Sequence, residues 1–271
     1  MINISIVTYN TTHKDLDLLF RSFSQVKNEI QIYIVDNSPT DKLRQYFSEK
    51  SDVIYLHNPS NPGFGASHNR AIELSMKENA MYHFIVNPDV YFEDDVVTKM
   101  VDYMRKDASI GMMMPQILNL DGTIQNLPKL LPTPLSVLLR KLKRPKFLYE
   151  PFINKYELRK VRKDLIYEAP ILSGCFTLLN LKAIKEIGGY DDNFFMYFED
   201  WDLSRRMHEK YRTIYYPLTS VFHGYESGAN KNKRLFKIFL KSFWHYFNKW
   251  GWIFDSKRNA INKQTLRNVE N

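Results

Sequence analysis

IQIYIVDNS, residues 30–38, is the stretch that decides the fold. Residues 30–35 are a short apolar run rich in β-branched side chains, and the three residues after them are polar, so a buried strand ends where a turn begins. Runs of the same kind lie around it: INISIV at 2–7, VIYL at 53–56 and HFIV at 83–86. Between them, residues 14–27 carry Leu16, Leu19, Phe20 and Phe23 at helical spacing, and 66–79 read as a second helix. Strands alternating with helices predict a mostly parallel sheet with helices on both faces, an α/β fold. In such sheets the ligand crevice lies beyond the carboxyl ends of the strands. The polar clusters Thr8-Tyr9-Asn10, Asp36-Asn37-Ser38 and Asn87-Pro88-Asp89 fall at those ends.

The chain of 271 residues suits one large domain or two small ones, and a hydrophobic content of 44% is enough for a sizeable core. Its net charge of +8 points to anionic partners: nucleic acid, anionic lipid or phosphorylated small molecules. No nucleic-acid-reading motif accompanies that charge, so nucleic acid is not expected. Cys175 is the single cysteine, which excludes a disulfide framework or a cysteine metal cluster and fits a reducing cytoplasm. The start, MINISIVTYN, lacks the basic end and long apolar run of a signal peptide. No run of about 18 apolar residues occurs, so no membrane-spanning segment is expected.

The character changes over 128–168, which is proline-punctuated and basic, with ten Lys/Arg against two Glu in 140–163. This reads as a mobile segment inside a domain covering 1–230. Residues 231–271 read as a basic aromatic helix and tail. In 234–252, Leu235, Ile238, Phe239, Phe243, Tyr246, Phe247 and Trp250 share one helical face, and Phe236, Leu240 and Trp244 form a second stripe beside it. That arc is too wide for one contact. One stripe is expected to pack on the domain and the other to meet an anionic membrane surface or, in a homodimer, a second chain.

FFMYFEDWDLSRR, residues 194–206, carries the densest chemistry. Glu199, Asp200 and Asp202 are crowded enough to shift one another's proton affinity, as acid/base work requires. A helix start gives the same pattern, with acids complementing the dipole and Asp202 pairing with Arg205 or Arg206. Asp36, at a strand end, can accept the N3–H of a pyrimidine or a ribose hydroxyl, or it can cap a turn. In NPGFGASHNRA, 61–71, Gly63 and Gly65 let backbone approach a ligand closely before a helix N-terminus that favours phosphate, or make a plain turn. His68 stands where a dinucleotide fingerprint needs its third glycine. Asp89 lies where a hard cation bridging a diphosphate would need a carboxylate, and His223 follows a strand where an imidazole can ligate metal or serve structure.

Taken in order, IVTYN, VDNS, NPGFGASHN, NPD, SGCF, GGYDDNFFMYFEDWDLSRR and VFHGYESG resemble the inverting family 2 glycosyltransferases of the Rossmann-like GT-A fold, over about residues 1–226. Within that family, NPD and FFMYFEDWDLSRR look most like the rhamnosyltransferases of bacterial O-antigen, capsule and cell-wall synthesis. The resemblance implies a nucleotide sugar held by Thr8, Asn10, Asp36, Asn37, Gly63, Gly65, Asn69 and Asn87. It implies Mn²⁺ or Mg²⁺ on Asp89 and His223, with Asn87 where another acid is usual. Asp200 matches the catalytic base, with Glu199 beside it, and Trp201, Tyr197 and Arg205 fall where an acceptor sugar would lie. The expected donor is dTDP-L-rhamnose, with UDP-galactofuranose or UDP-glucose as alternatives. The expected acceptor is a lipid-linked saccharide at the inner face of a bacterial plasma membrane. A decayed, basic membrane-surface binding protein is the reading from another class.

Overall fold

The computed structural model describes residues 2–224 and 232–270. Strand β1 (Ile2–Thr8), helix α1 (His13–Phe23), β2 (Ile30–Asp36), α2 (Arg44–Phe47), β3 (Val53–His57), α3 (Phe64–Lys77) and β4 (Tyr82–Val86) form the alternating first half. Then follow β5 (Val90–Tyr91), α4 (Val96–Arg105), β6 (Ile110–Leu118), α5 (Pro134–Leu142), α6 (Lys146–Tyr156), β7 (Tyr167–Glu168), β8 (Phe176–Asn180) and α7 (Leu181–Ile187). The chain closes with α8 (Glu199–His208), β9 (Arg212–His223), α9 (Lys233–Trp250) and α10 (Ser256–Glu270).

One sheet runs in the order β3-β2-β1-β4-β8-β6-β9-β5, with β7 also on β9. The first four strands are parallel, as their crossover helices require. β8 is antiparallel to both β4 and β6, so the sheet is mixed in its second half. In β2 the buried residues alternate between faces. Ile32 and Ile34 join the main core, while Tyr33 and Val35 pack with Ala71 of α3 on the other side. A strand buried on both faces reads as the continuous apolar run seen in its sequence.

Local chemistry sets the helix starts. Thr12 and Asp15 form a reciprocal capping box before α1, Asp95 caps α4, and Thr133 caps α5 just ahead of Pro134. Expected and observed boundaries agree to within a few residues, except that α1 stops at Phe23, short of the expected 27. Ser24 closes it, its backbone N–H donating to the carbonyls of Arg21 and Ser22.

The basic stretch 128–168 holds α5, α6 and β7, and Ile153, Tyr156 and Leu158 enter the main core. A separate aromatic core joins α9 to the rest: Phe194 and Phe198 meet Tyr246 and Phe247, with Val137 of α5 among them. The tail beyond α9 is itself helical. Asn262 of α10 exchanges hydrogen bonds with the backbone of Leu131, at 2.7 and 3.0 Å, so the chain's end is laced to the basic stretch.

Candidate active site

The carboxyl ends of β1 and β4 open onto a cavity of about 420 Å³ lined by Val7, Asn10, Thr11, Asp15, Phe64, Asn87, Pro88 and Asp89. This is the crevice expected from strand order. Parallel pairing sets Thr8 opposite Asp36. The Thr8 hydroxyl donates to Asp36 Oδ1 at 3.0 Å, and the Ser38 backbone N–H and hydroxyl donate to the same oxygen at 3.0 and 2.5 Å. The Tyr55 hydroxyl donates to Asp36 Oδ2 at 2.5 Å. Asp36 is only 1% exposed, so in this arrangement its carboxylate is taken up by these donors and does not line the cavity. Any contact to a base would exchange one of these donors. Asn10 adopts a left-handed backbone at φ 53° and donates its N–H to Ser38 Oγ at 2.8 Å. Asn37 is buried, and its amide bonds Ser67 of α3 at 2.7 Å.

The glycine loop does something the sequence did not predict. Gly63 has φ 107°, and a Cβ there would lie 2.2 Å from the Phe195 carbonyl oxygen. A Cβ on Gly65 would lie 2.8 Å from that of Tyr190. Asn69 brackets Tyr190, donating to its carbonyl and accepting from its N–H, both at 2.8 Å, and also donates to Asp192 at 2.9 Å. Close backbone approach is therefore needed here for the 189–195 segment, the chain that leads into α8. His68, where a fingerprint glycine would stand, is buried between Phe64 and Tyr190 and bonds Ser5 Oγ at 2.6 Å. Burial holds its pKa well below the ordinary value, so it is neutral.

Tyr197 and Phe198 precede α8 with φ of 70° and 69°. Two consecutive non-glycine residues in that region are costly, and such strain persists where the surroundings impose it. The turn delivers Glu199 and Asp200 into different environments. Glu199 is 6% exposed, and its Oε2 is buried without a hydrogen-bond partner. Burial, then the charge of Asp200, pushes the Glu199 pKa well above the ordinary value. Asp200 is half-buried. Its Oδ2 accepts the Gly174 backbone N–H at 3.3 Å and its Oδ1 the Trp201 backbone N–H at 2.9 Å. Burial raises its pKa, while those N–H groups and buried Lys129 oppose the rise. The neighbour effect thus runs from Asp200 to Glu199, whose carboxyl is the one pushed well above its ordinary value.

Asp202 and Arg205 stand apart from this pair. Asp202 is fully buried and ion-paired with Arg206 and Lys249, each at 2.8 Å. Arg205, expected at the acceptor, is 2% exposed, and its two terminal nitrogens donate to Asp255 at 2.8 and 3.0 Å. Its place is an anchor between α8 and the turn after α9, so the acceptor contact is reassigned. Trp201 and Tyr197 are half-buried and pack against Phe198 and Phe239 respectively.

Pairing of β5 with β9 sets Val90 opposite His223, which brings Asp89 Oδ1 within 3.4 Å of His223 Nε2. The Asn87 amide lies at 3.4 Å from the same nitrogen, with its Oδ1 buried and without a partner. Gln125 fixes the ring from behind, at 3.2 Å from Nδ1. Burial alone would lower the His223 pKa, but Asp89 and Cys175 prevail and raise it to about 10. Among the described residues no group of three or more His, Cys, Asp or Glu converges as a metal cage. A cation here would displace the His223 proton and have three protein ligands, Asp89, His223 and the orphaned Asn87 oxygen, leaving positions for diphosphate oxygens. Of the VFHGYESG motif, residues 225–228 lie outside the described residues.

Lys129 and Tyr190 were not singled out in the sequence. Lys129 is buried, donates to the Leu127 carbonyl at 2.6 Å, and pairs through its backbone with Ile171, three residues before Gly174. Burial draws its pKa down to about 7. The Tyr190 hydroxyl is buried without a partner, beside Gly174.

Comparison with known proteins accords with this geometry. The family model described as glycosyl transferase family 2 matches residues 4–188, and the chain belongs to that family. It is 25% identical over 206 residues to the N-acetylglucosaminyl-diphospho-decaprenol L-rhamnosyltransferase of Mycobacterium tuberculosis (strain CDC 1551 / Oshkosh), covering 72% of this chain and 66% of that protein. It is 23% identical over 261 residues to the rhamnosyltransferase WbbL of Escherichia coli (strain K12), covering 90% of this chain and 89% of that one. Among solved structures, GalNAc-T7 with UDP, GalNAc and Mn²⁺ superposes with a TM-score of 0.63 at 15% identity, over 84% of this chain and 43% of that chain. The fold is GT-A, and within the family the chain resembles the rhamnosyltransferase branch.

Proposed function

We propose that this family 2 member is an inverting hexosyltransferase that moves L-rhamnose from dTDP-L-rhamnose to a lipid-linked saccharide in bacterial surface polysaccharide synthesis. The observation that carries the reading is the split between two adjacent carboxylates. Asp200 is half-buried and held by two backbone N–H groups, while Glu199 is buried with its carboxyl pushed towards the neutral form. One accessible base, not a pair, is what a single in-line displacement needs. The acceptor hydroxyl oxygen bonds to the anomeric carbon, Asp200 takes its proton, and the bond to the nucleoside diphosphate breaks on the opposite face. Neutral Glu199 spares Asp200 a second adjacent negative charge.

The crevice between Asn10 and Asp89 takes the nucleotide sugar, with Thr8, Asp36 and Asn37 setting its shape and Gly63, Gly65 and Asn69 holding the α8 approach against it. Asp89 and His223, with Asn87, would hold Mn²⁺ or Mg²⁺, which when bound offsets charge on the leaving diphosphate. The Mn²⁺ and UDP named for GalNAc-T7 support such a site. Trp201 and Tyr197 offer rings to an acceptor sugar. The decaprenol-linked substrate named for the mycobacterial relative supports a lipid-linked acceptor and so a place at the inner membrane face. Among the described residues no helix is long and apolar enough to cross a membrane.

The test is a donor panel of dTDP-L-rhamnose, UDP-galactofuranose and UDP-glucose, reading nucleoside diphosphate release and the anomeric configuration of the product. Fastest turnover with dTDP-L-rhamnose and an inverted linkage is expected. Preference for either UDP-sugar rejects the donor and keeps the transferase. Absence of turnover with all three, despite nucleotide binding, favours the decayed binding protein.

A further inference from the structure

Helices α5 and α9, far apart in sequence, touch through a few side chains. The Lys141 ammonium sits over the rings of Phe236 and Phe239, at 4.3 and 4.1 Å from their centroids. Behind that contact Val137 enters the aromatic core with Tyr246 and Phe247. Both helices also expose large apolar residues: Leu138 and Leu142 on α5, and Phe236, Leu240 and Trp244 on α9. On each helix their spacing of four makes a stripe. Trp244 is 61% exposed and touches Trp252 at 4.6 Å between centroids, so the turn after α9 continues the patch. Ile253 and Phe254 at that turn are 76% and 93% exposed. Exposed apolar residues gathered to this extent mark a surface built for a partner.

Charge decides which partner. No Asp or Glu occurs between Asp121 and Glu150, nor between Glu226 and Asp255. Residues 134–149 carry five Lys/Arg and residues 232–254 carry five more. Lys141, Lys143, Lys237 and Lys241 are exposed among the apolar stripes. Two copies of this chain meeting about a twofold axis would set these cations against themselves. A bilayer of anionic lipid matches both properties, taking rings and leucines at the acyl boundary and cations among the headgroups.

We propose that α5, α9 and the 252–254 turn form one composite face that docks on an anionic lipid bilayer. The face adds a partner to the proposed transferase and does not depend on its donor or acceptor. The sequence singled out α9 alone. The structure assigns α5 an equal share, because Lys141 joins the two helices and Leu138 and Leu142 extend the apolar area.

The test uses the full chain and sedimentation with vesicles of phosphatidylglycerol or of phosphatidylcholine, free of any saccharide lipid. Binding to phosphatidylglycerol is expected, weakened by salt, with little binding to phosphatidylcholine. Leu138→Ser with Leu142→Ser, and separately Leu240→Ser with Trp244→Ser, should each lower vesicle affinity roughly tenfold to a hundredfold. All four side chains are exposed, so thermal melting of both variants should match the parent, which separates lost docking from lost folding. Wild-type-like vesicle binding by the α5 variant overturns the composite face. Equal indifference of the parent to both vesicle types overturns the lipid partner, and a dimer that the same variants dissociate identifies a second copy as the occupant instead.

Discussion

Trp250 donates its indole N–H to Asp202 at 2.9 Å, and this bond ties helix α9 to helix α8. Asp202 thereby leaves the carboxylate cluster it belongs to in sequence and becomes part of a joint. Trp250→Phe keeps an aromatic ring under Arg205, though a smaller one, and removes the donor. A hydrogen bond to a buried charge contributes about 1.5–3 kcal/mol, so unfolding free energy should fall by that order in denaturant titration. A loss below about 0.5 kcal/mol would show that Arg206 and Lys249 satisfy Asp202 unaided.

Asp200→Asn removes basicity and keeps an oxygen for the Trp201 N–H. Transfer should drop by about 10²–10⁴-fold, while nucleotide affinity measured by calorimetry stays close to the parent's. Near-normal transfer would move the base elsewhere.

Glu199 gives a pH signature in stability. Its folded pKa is raised above the unfolded value, so its contribution to stability is complete below the unfolded pKa and is lost as pH rises through the folded one. Glu199→Gln stays neutral throughout. Melting temperatures of the two proteins should therefore diverge as pH increases, with the variant gaining relative to the parent. Parallel melting curves across pH would mean that Glu199 is ionised in the fold.

Asp89→Ala and His223→Ala should each raise the Mn²⁺ or Mg²⁺ concentration needed for half-maximal activity, by roughly 10–100-fold or more. EDTA should silence the parent enzyme and added metal should restore it. Full turnover in EDTA would remove the cation from the reaction.

The strands were legible because burial on both faces leaves a mark in every residue of a run such as 32–35. The crevice was legible because polar residues at strand ends have few other places to go. The Asp89–His223 approach was legible only through motif order, since the pairing of β5 with β9 joins residues 134 positions apart and leaves no local trace. Gly63, Gly65 and Asn69 show the opposite case. Their small size and polarity announce a close approach but not what approaches, and here it is the backbone around Tyr190 and Phe195. Arg205 looked like a free cation because Asp255, which binds it, lies 50 residues on. Lys129 carried no signal, because a lysine in a basic tract looks solvated until the fold buries it.

The anchoring of α8 by residues that follow it also sets an order of events during synthesis. Asp255 meets Arg205 and Trp250 meets Asp202 only once α9 and the turn after it have left the ribosome. A nascent chain can close the sheet around β1 to β4 early, because domains form as their segments emerge. The turn that presents Asp200 stays unbraced until residues 250–255 appear, so competence for catalysis arrives well after α8 itself has been made. A protein whose proposed reagents include a lipid-linked intermediate is thus kept from engaging them until that brace is in place.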